Sequence, residues 1–320
     1  MNAIETQNLV HAYQKHFWSP RKTALSGLDL KVAEGEIFGY LGANGAGKTT
    51  TIKILVGLHS QTSGTATVFG RSVRDVNSRR EIGFMPENPY FYEYLTATES
   101  LDFYGSLCDM PRADRKKRGA ELLEFVGLAD ARDVRMKEFS KGMRQRIGIA
   151  QALIHKPKLV VLDEPMSGLD PVGRMQVREA ILSLKREGMT VFFSSHVLQD
   201  VEMICDRAGL LLDGKLQAAG PLSELLQAEN KRIEISAENL SPELAEKLHA
   251  AAASSARRGG GEFFIFDDRD KADAAAREIV QSGAKLNLFR PSGETLEEYF
   301  MRSTGKTRAE VGAWSGGGDK

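Results

Sequence analysis

Residues 42–49 have the composition and spacing of a phosphate-binding loop. They are Gly42, Ala43, Asn44, Gly45, Ala46, Gly47, Lys48 and Thr49, and Thr50 follows them. Glycines at three of these positions let backbone N–H groups approach phosphate oxygens without a Cβ in the way. Lys48 can then reach the β- and γ-phosphates of a nucleotide, and the Thr49 hydroxyl can bind Mg²⁺. A solvated glycine-rich turn is the plainer alternative for this pattern.

The flanking segments favour phosphate binding over a simple turn. Residues 37–41 form an apolar run that is typical of a buried strand, and residues 49–55 have the pattern of a helix. This order of strand, loop and helix directs the positive end of the helix dipole at the phosphates. We therefore expect the chain to bind a nucleotide.

Three candidate catalytic side chains follow two further apolar segments. Residues 159–162 predict a buried parallel strand, with Asp163 and Glu164 at its carboxyl end, where open α/β sheets bind their ligands. This position favours Mg²⁺ binding by Asp163 and activation of an attacking water by Glu164, although an acidic strand cap is possible. His196 follows the predicted strand 190–195. We expect it to contact the γ-phosphate, although a lone histidine is more often structural.

A second helix N-terminus offers a second place for an anion. Ser140 is a good N-cap for a helix that runs to about Ala152, with Lys141 and Gly142 in its first turn. The exposed N–H groups of this turn can bind phosphate. An ordinary capped helix has the same sequence pattern, so this segment alone leaves both interpretations open.

Aromatic and basic clusters leave further alternatives open. Tyr13 ends a predicted strand and can either stack on a purine or simply pack, with Phe17 and Trp18 as rivals for stacking. Residues 90–94 hold four aromatics before a capping box at 96–99, which fits either a docking surface or the core of a helical subdomain. The five basic residues within 112–118 favour a solvated helix face over a binding site.

Composition limits the class of protein. With 320 residues the chain is longer than one average domain, so we expect a large domain and a smaller one. Its hydrophobic content of 42% is enough for a substantial core. Lys+Arg and Asp+Glu both number 43, so no basic field favours nucleic acid. The two cysteines indicate free thiols in a reducing cytosol. No apolar run approaches the roughly 20 residues that span a bilayer, so we expect a soluble chain that acts on membranes only through a partner.

The order of these motifs resembles the nucleotide-binding subunit of an ATP-binding cassette (ABC) transporter. The resemblance covers residues 1–225 and includes Glu87 and the Ser-Gly-Leu-Asp sequence at 167–170. It implies a P-loop NTPase cassette of α/β class, with an antiparallel β subdomain and a helical subdomain. It also implies Walker A at residues 42–50, Walker B at Asp163, the catalytic base at Glu164, the switch histidine at His196 and adenine stacking at Tyr13.

The resemblance also implies cofactors and partners. In such proteins the helix at Ser140 closes over ATP held by a second protomer, so we expect a homodimer or pseudo-dimer around two Mg²⁺-bound ATP molecules. A polytopic membrane permease would hold the subunit peripherally on the cytoplasmic face of the membrane. The motif variants resemble the branch that serves ABC-2 type exporters.

Two positions depart from the usual family pattern. The signature is Phe-Ser-Lys-Gly-Met at 139–143 where Leu-Ser-Gly-Gly-Gln is usual. Glu87 stands where the family usually has a glutamine that senses Mg²⁺ and couples to the membrane subunit. The extra carboxylate attracts Mg²⁺ and repels the γ-phosphate, so the net effect on coupling stays open.

Residues 226–304 predict a small α/β accessory domain that resembles the C-terminal extension of the same exporter branch. We expect a flexible turn at 254–261, a helix at 294–301 and a disordered tail at 305–320. A regulatory or dimer-supporting role for this domain is a hypothesis. Two other functions remain for the whole chain: a soluble cassette ATPase acting on nucleic acid or ribosomes, and a nucleotide-binding regulatory module with little turnover.

Overall fold

The described part of the chain forms two compact units. A computed structural model describes residues 1–14, 18, 20–225, 232–258, 261–291, 296 and 301. The first unit is Met1–Leu222, and the second begins at Ser223. Phe17, the tail predicted at 305–320 and most of the helix predicted at 294–301 lie outside the described residues.

The first unit mixes strands and helices, so the α/β class predicted from the sequence is confirmed. Its strands are β1 (Asn2–Tyr13), β2 (Lys22–Ala33), β3 (Ile37–Gly42), β4 (Ser63–Val68), β5 (Arg71–Ser72), β6 (Ile82–Met85), β7 (Leu159–Leu162), β8 (Thr190–Ser195), β9 (Arg207–Leu212) and β10 (Lys215–Pro221). Its helices are α1 (Lys48–Leu55), α2 (Ala97–Leu107), α3 (Arg112–Phe125), α4 (Lys141–Ala152), α5 (Pro171–Arg186) and α6 (Leu198–Ile204), and the one-turn helix α7 (Leu222–Leu225) lies at the boundary.

A six-stranded sheet positions the candidate catalytic residues. Its order is β10-β9-β3-β8-β7-β6, and every neighbouring pair from β9 to β6 is parallel. Each residue of β3, β7 and β8 is buried, which explains their continuous apolar character. Because carboxyl ends of parallel strands meet at one edge, the segments after β3, β6, β7 and β8 lie side by side there.

A second, antiparallel sheet has the order β2-β1-β4-β5 and shares one core with the first. Leu28 of β2, Ile52 of α1 and Phe192 of β8 all belong to this core. The rings of Phe38 and Phe192 are stacked with centroids 5.8 Å apart. The helix after the phosphate loop is therefore anchored between the two sheets, which fixes its N-terminus.

Helices α2, α3 and α4 form the helical part of the first unit. The capping box predicted at 96–99 is present: the Glu99 N–H donates to Thr96 Oγ1 (3.2 Å), and the Thr96 N–H donates to Glu99 Oε2 (2.9 Å). The solvated basic face predicted at 112–118 is only partly correct. Arg115 lies inward and pairs with Asp102 of α2 at 2.8 Å, because α3 turns that side of the run toward its neighbour.

The second unit is a split βαβ domain. Its elements are β11 (Ile233–Glu238), α8 (Pro242–Ala251), β12 (Ser254–Arg258), β13 (Gly261–Phe266), α9 (Arg269–Gln281) and β14 (Lys285–Pro291). The sheet order is β12-β13-β11-β14, and all its pairs are antiparallel. With the chain order βαββαβ, this is the ferredoxin-like topology. Ile235, Phe264 and Phe266 of the sheet pack with Leu248 of α8 and Ile279 of α9.

The flexible turn predicted at 254–261 is wrong, because residues 254–258 form β12. This segment reads Ser-Ser-Ala-Arg-Arg and shows no apolar alternation. It is extended because it pairs in register with β13, with Ser255 opposite Phe264 and Arg257 opposite Glu262. As an edge strand with exposed side chains, it needs no hydrophobic pattern of its own.

Candidate functional site

A cavity of about 660 Å³ gathers most of the sequence-predicted residues at the carboxyl edge of the six-stranded sheet. Phosphate-loop residues line it together with Tyr13, Glu87, Glu164 and His196. The full lining is Tyr13, Lys22, Thr23, Ala24, Ala43, Asn44, Gly45, Gly47, Lys48, Thr49, Thr50, Glu87, Lys141, Glu164, Ser167, Gly168, Arg174 and His196. Its size suits a nucleotide.

The phosphate loop turns sharply at Gly47, immediately before α1 begins at Lys48. Gly47 has φ 112°, and a Cβ at this position would lie 2.6 Å from the Ala24 carbonyl oxygen, so only glycine fits. The Lys48 side chain is buried, and its Nζ donates to the Gly42 and Ala43 carbonyl oxygens at 2.6 and 3.3 Å. The Lys48 side chain therefore folds back and hydrogen-bonds the backbone of the phosphate loop.

Lys48, Glu164 and His196 form one connected group. Lys48 Nζ pairs with Glu164 Oε1 at 3.0 Å, and His196 Nδ1 lies 2.7 Å from Glu164 Oε2. The His196 backbone N–H also donates to Oε2, at 3.3 Å. Glu164 itself has φ 49°, a left-handed conformation that is uncommon outside glycine and often marks functional sites.

The environment keeps the Glu164 carboxylate ionised. Burial alone would raise the pKa of Glu164, but the hydrogen bond from His196 and the charge of Lys48 outweigh burial and bring the pKa below its ordinary value. A proton acceptor is therefore available at neutral pH.

Asp163 and Thr49 present oxygen atoms at the end of β7. Ser194 Oγ donates to Asp163 Oδ1 at 2.7 Å, and Thr49 Oγ1 donates to the same oxygen at 3.4 Å. Burial raises the pKa of Asp163, partly offset by these hydrogen bonds. Mg²⁺ takes one or two protein oxygens and fills its octahedron with phosphate and water, so this donor set fits the ion.

Tyr13 lines the cavity and contacts the helix that follows the phosphate loop. Its OH is 3.1 Å from Thr50 Oγ1, and its ring is partly exposed in the cavity. Its rival Trp18 does not line the cavity and is 84% exposed. Among the described tyrosine, phenylalanine and tryptophan residues, Tyr13 is therefore the one that lines this cavity.

A second cavity, of about 310 Å³, surrounds the N-terminus of α4. Ser140 caps the helix as predicted, its Oγ accepting the Met143 N–H at 3.2 Å. Lys141 and Gly168 line both this cavity and the first. The lining is Ser140, Lys141, Gly142, Met143, Arg146, Gly168, Leu169, Asp170, Val172, Gly173 and Gln176.

Glu87 follows β6 and lines the first cavity. Its backbone carbonyl accepts a hydrogen bond of 2.8 Å from Nε2 of Gln145, a buried residue of α4. Helix α4, whose N-terminus is the second candidate anion site, is therefore joined to the segment that carries Glu87.

Several lining residues were missed from the sequence, namely Lys22, Thr23, Ala24 and Arg174. Lys22 is the cross-strand partner of Tyr13, so pairing the first two predicted strands as a hairpin would have found this group. Arg174, on α5, pairs with the buried Asp200 at 3.5 Å. No sequence motif predicted that Arg174 lines the cavity.

No helix within the described residues is long and apolar enough to cross a membrane. Exposed apolar side chains are instead scattered over the surface and over residues 90–94. The described chain thus has no helical membrane span of its own.

Comparisons with known proteins agree with this geometry. Residues 25–167 match the protein family described as ABC transporter. An ABC transporter ATP-binding protein of Synechocystis is 42% identical over 307 residues, which cover 94% of this chain and 84% of that protein. The bacitracin transport ATP-binding protein BcrA of Bacillus licheniformis is 36% identical, covering 87% and 91%.

Among solved structures, an ATP-binding cassette in a dimeric post-hydrolysis state with ADP and Pi has a TM-score of 0.62 to this chain. It is 25% identical, and the match covers 68% of this chain and 98% of that one. The cassette fold expected from the motif order is thereby confirmed. The chain belongs to the ATP-binding proteins of the ABC transporter family, and its enzymatic class is that of an ABC ATPase.

Proposed function

We propose that two copies of this chain close around two Mg²⁺-bound ATP molecules and power export of a substrate through a separate polytopic permease. The observation that carries the proposal is the pair of cavities in one chain. The first contains the phosphate loop and the candidate base, whereas the second offers a capped helix N-terminus at Ser140 without a phosphate loop. A second copy's nucleotide supplies the anion that this N-terminus lacks.

Before hydrolysis, the Glu164 carboxylate is in contact with Lys48 and His196. The γ-phosphate competes with Glu164 for the Lys48 ammonium, so nucleotide binding releases Glu164 from its ion pair at 3.0 Å. Glu164 then orients the attacking water and accepts its proton, while His196 holds the carboxylate through Oε2. Thr49 and Asp163 would hold Mg²⁺, which offsets the charge that develops on the phosphates.

Electrostatic attraction between the triphosphate held by one copy and the N-terminus of α4 in the other favours closure of the two chains. The N-terminus of α4 presents backbone N–H groups, and Lys141 adds a cation that has no ion-pair partner within the described residues. A triphosphate held in one copy is attracted to this region of the other. Loss of the γ-phosphate weakens that bridge, so hydrolysis reopens the pair.

The exposed tyrosines after Glu87 support a docking surface for the permease. Tyr90 and Tyr94 are 75% and 68% exposed, whereas Phe91 between them is buried. Tyr92 and Tyr94 also line a groove of about 560 Å³ beside α2 and α3. Phe91 belongs to the core, whereas the exposed tyrosines have the residue type and exposure that a docking surface needs.

The direction of transport and the cytoplasmic membrane location are also part of the proposal. The bacitracin transport protein that the chain resembles supports an export role. The net charge of zero gives no support to nucleic acid as a partner. Attachment to the cytoplasmic face of the membrane would come from the permease.

The test is a pull-down of tagged Glu164→Gln from detergent-solubilised membranes of the native cell with Mg²⁺ and ATP. We expect a polytopic membrane protein to be recovered, and recovery to fall when EDTA replaces Mg²⁺. A double variant with Tyr90→Ser and Tyr94→Ser should lose the membrane protein while keeping ATP binding. Recovery of ribosomes or nucleic acid alone, in a salt-sensitive manner, would contradict the transport proposal and favour the soluble alternative.

A further inference from the structure

Behind Tyr13 lies a buried histidine with one unused nitrogen. The His11 side chain is 8% exposed, and its Nδ1 is 3.0 Å from the Ser60 carbonyl oxygen. A carbonyl oxygen can only accept, so Nδ1 carries the hydrogen and Nε2 presents a lone pair. Within the described chain, Nε2 has no hydrogen-bond partner. Such an unsatisfied buried atom requires an explanation.

A second imidazole faces it from the segment after α1. The ring of His59 lies with its centroid 5.6 Å from that of His11, at an interplanar angle of 51°. Among the described residues, neither nitrogen of His59 has a hydrogen-bond partner. Either ring nitrogen of His59 is therefore available as a ligand.

Two imidazole rings whose centroids lie 5.6 Å apart suit one transition-metal ion. Zn–N bonds of about 2.0–2.1 Å put the centres of two ligating rings roughly 5–6 Å apart. Metal-binding histidines commonly donate the other ring N–H to a backbone carbonyl, as His11 does to Ser60. We propose that His11 Nε2 and a ring nitrogen of His59 bind one divalent ion of the zinc class, with water completing its coordination.

This site differs from the magnesium site in both ligand type and place. Imidazole nitrogens select ions such as Zn²⁺, Ni²⁺ and Cu²⁺, whereas the oxygens of Thr49 and Asp163 suit Mg²⁺. Both histidine rings pack edge-on against Tyr13, with centroids 4.5 and 5.7 Å away. A bound ion would therefore lie behind the ring that lines the nucleotide cavity. The ammonium of Lys53 is the positive group that opposes it.

The experiment is a Zn²⁺ titration of the untagged full-length chain, stripped with EDTA and dialysed, in the presence of excess Mg²⁺ to occupy oxygen sites. Competition with a chromophoric chelator measures the affinity. We expect one equivalent of Zn²⁺ per chain, and an affinity at least tenfold lower in His11→Gln and in His59→Gln. His155→Gln is the matched control, because His155 also contacts a backbone carbonyl but lacks a second imidazole.

His59→Gln decides the result if His11→Gln fails to fold, since the His59 side chain is only partly buried and makes no hydrogen bond within the described residues. Co²⁺ in place of Zn²⁺ should give visible absorption bands with wild type and not with His59→Gln. The proposal is overturned if wild type binds no Zn²⁺, or if His59→Gln binds it as tightly as wild type.

Discussion

The Glu164 carboxylate contacts two side chains, one on each of its oxygens. Lys48 forms an ion pair with Oε1, and His196 contacts Oε2, so each carboxylate oxygen lies against one side chain. In the proposed mechanism, nucleotide phosphate competes for the Lys48 contact, while His196 keeps its contact with the other oxygen. Under that proposal, occupancy of the phosphate loop is coupled to release of the base.

Replacing Glu164 with Gln should separate binding from turnover. We expect steady-state phosphate release to fall by about 10²–10⁴, the usual contribution of a general base. Nucleotide affinity should be maintained or improved, because Lys48 loses the anion that competes with phosphate. Phosphate release and equilibrium binding of a fluorescent ATP analogue would measure the two effects. Glu121→Gln, a surface change on α3, is the control, and turnover close to wild type in Glu164→Gln would refute this role.

His196→Ala should change the pH dependence of turnover. The hydrogen bond from His196 lowers the pKa of Glu164, so its loss lets burial raise that pKa. A base with a higher pKa is protonated at higher pH, and the acid limb of the kcat profile should therefore move upward in pH. Profiles between pH 5 and 8 for wild type, His196→Ala and the control His155→Ala would test this. A lower rate with an unmoved acid limb would show that His196 does not act through Glu164.

At the residue scale, the sequence predicted a group that the fold gathers into one cavity, because each motif carries its own spacing. Lys22 and Arg174 were not found this way. Lys22 reaches the cavity through its pairing with Tyr13, and Arg174 through the position of α5. Both depend on how distant elements are packed, which local patterns do not encode.

At the scale of elements, α4 connects the two cavities. Its first turn lines the second cavity, and Gln145, one turn later, holds the backbone of Glu87 in the first. Gln145 is buried whereas Glu87 is exposed, so this hydrogen bond lies at the edge of the core. A shift of α4 on closure of two chains would thus be transmitted to the segment before the exposed tyrosines.

Gln145→Leu tests that connection. The substitution keeps the approximate size but removes the donor, and the net contribution of one hydrogen bond to stability is about 0.5–1.5 kcal/mol. We expect a loss of free energy of unfolding in that range, together with lower ATPase activity, measured by urea denaturation and phosphate release. Gln281→Leu, on the exposed side of α9, is the control. Unchanged stability would mean that the 2.8 Å contact contributes nothing.

Helices that begin with a capping motif were predictable from the sequence. A strand that is extended only because it pairs with a neighbouring strand was not. The capping box of α2 and the N-cap of α4 were both identified, since each is a local hydrogen-bonding pattern. Strand β12 was missed because its polar residues become extended only by pairing with β13.

At the scale of the whole molecule, the sheet order brings distant motifs together. Parallel strands that are far apart in sequence, such as β3 and β8, are adjacent, and the connections between them carry the helices. Hydrophobic runs predicted the strands and the α/β class. They could not give the order β10-β9-β3-β8-β7-β6, because the central strands β3, β7 and β8 are buried on both faces and any two of them could be neighbours.

The two units should respond separately to nucleotide. The core of the second unit consists only of its own residues, such as Ile235, Phe264 and Ile279, whereas the cavity belongs to the first. A ligand at 100 times its Kd stabilises the unit that binds it by about 2.7 kcal/mol. In calorimetry of the full chain, Mg²⁺ and ADP should therefore raise one unfolding transition by roughly 5–10 °C and leave a second unchanged. Lys48→Ala, which removes a phosphate contact, should abolish the shift, and a single transition that moves as a whole would show that the units unfold together.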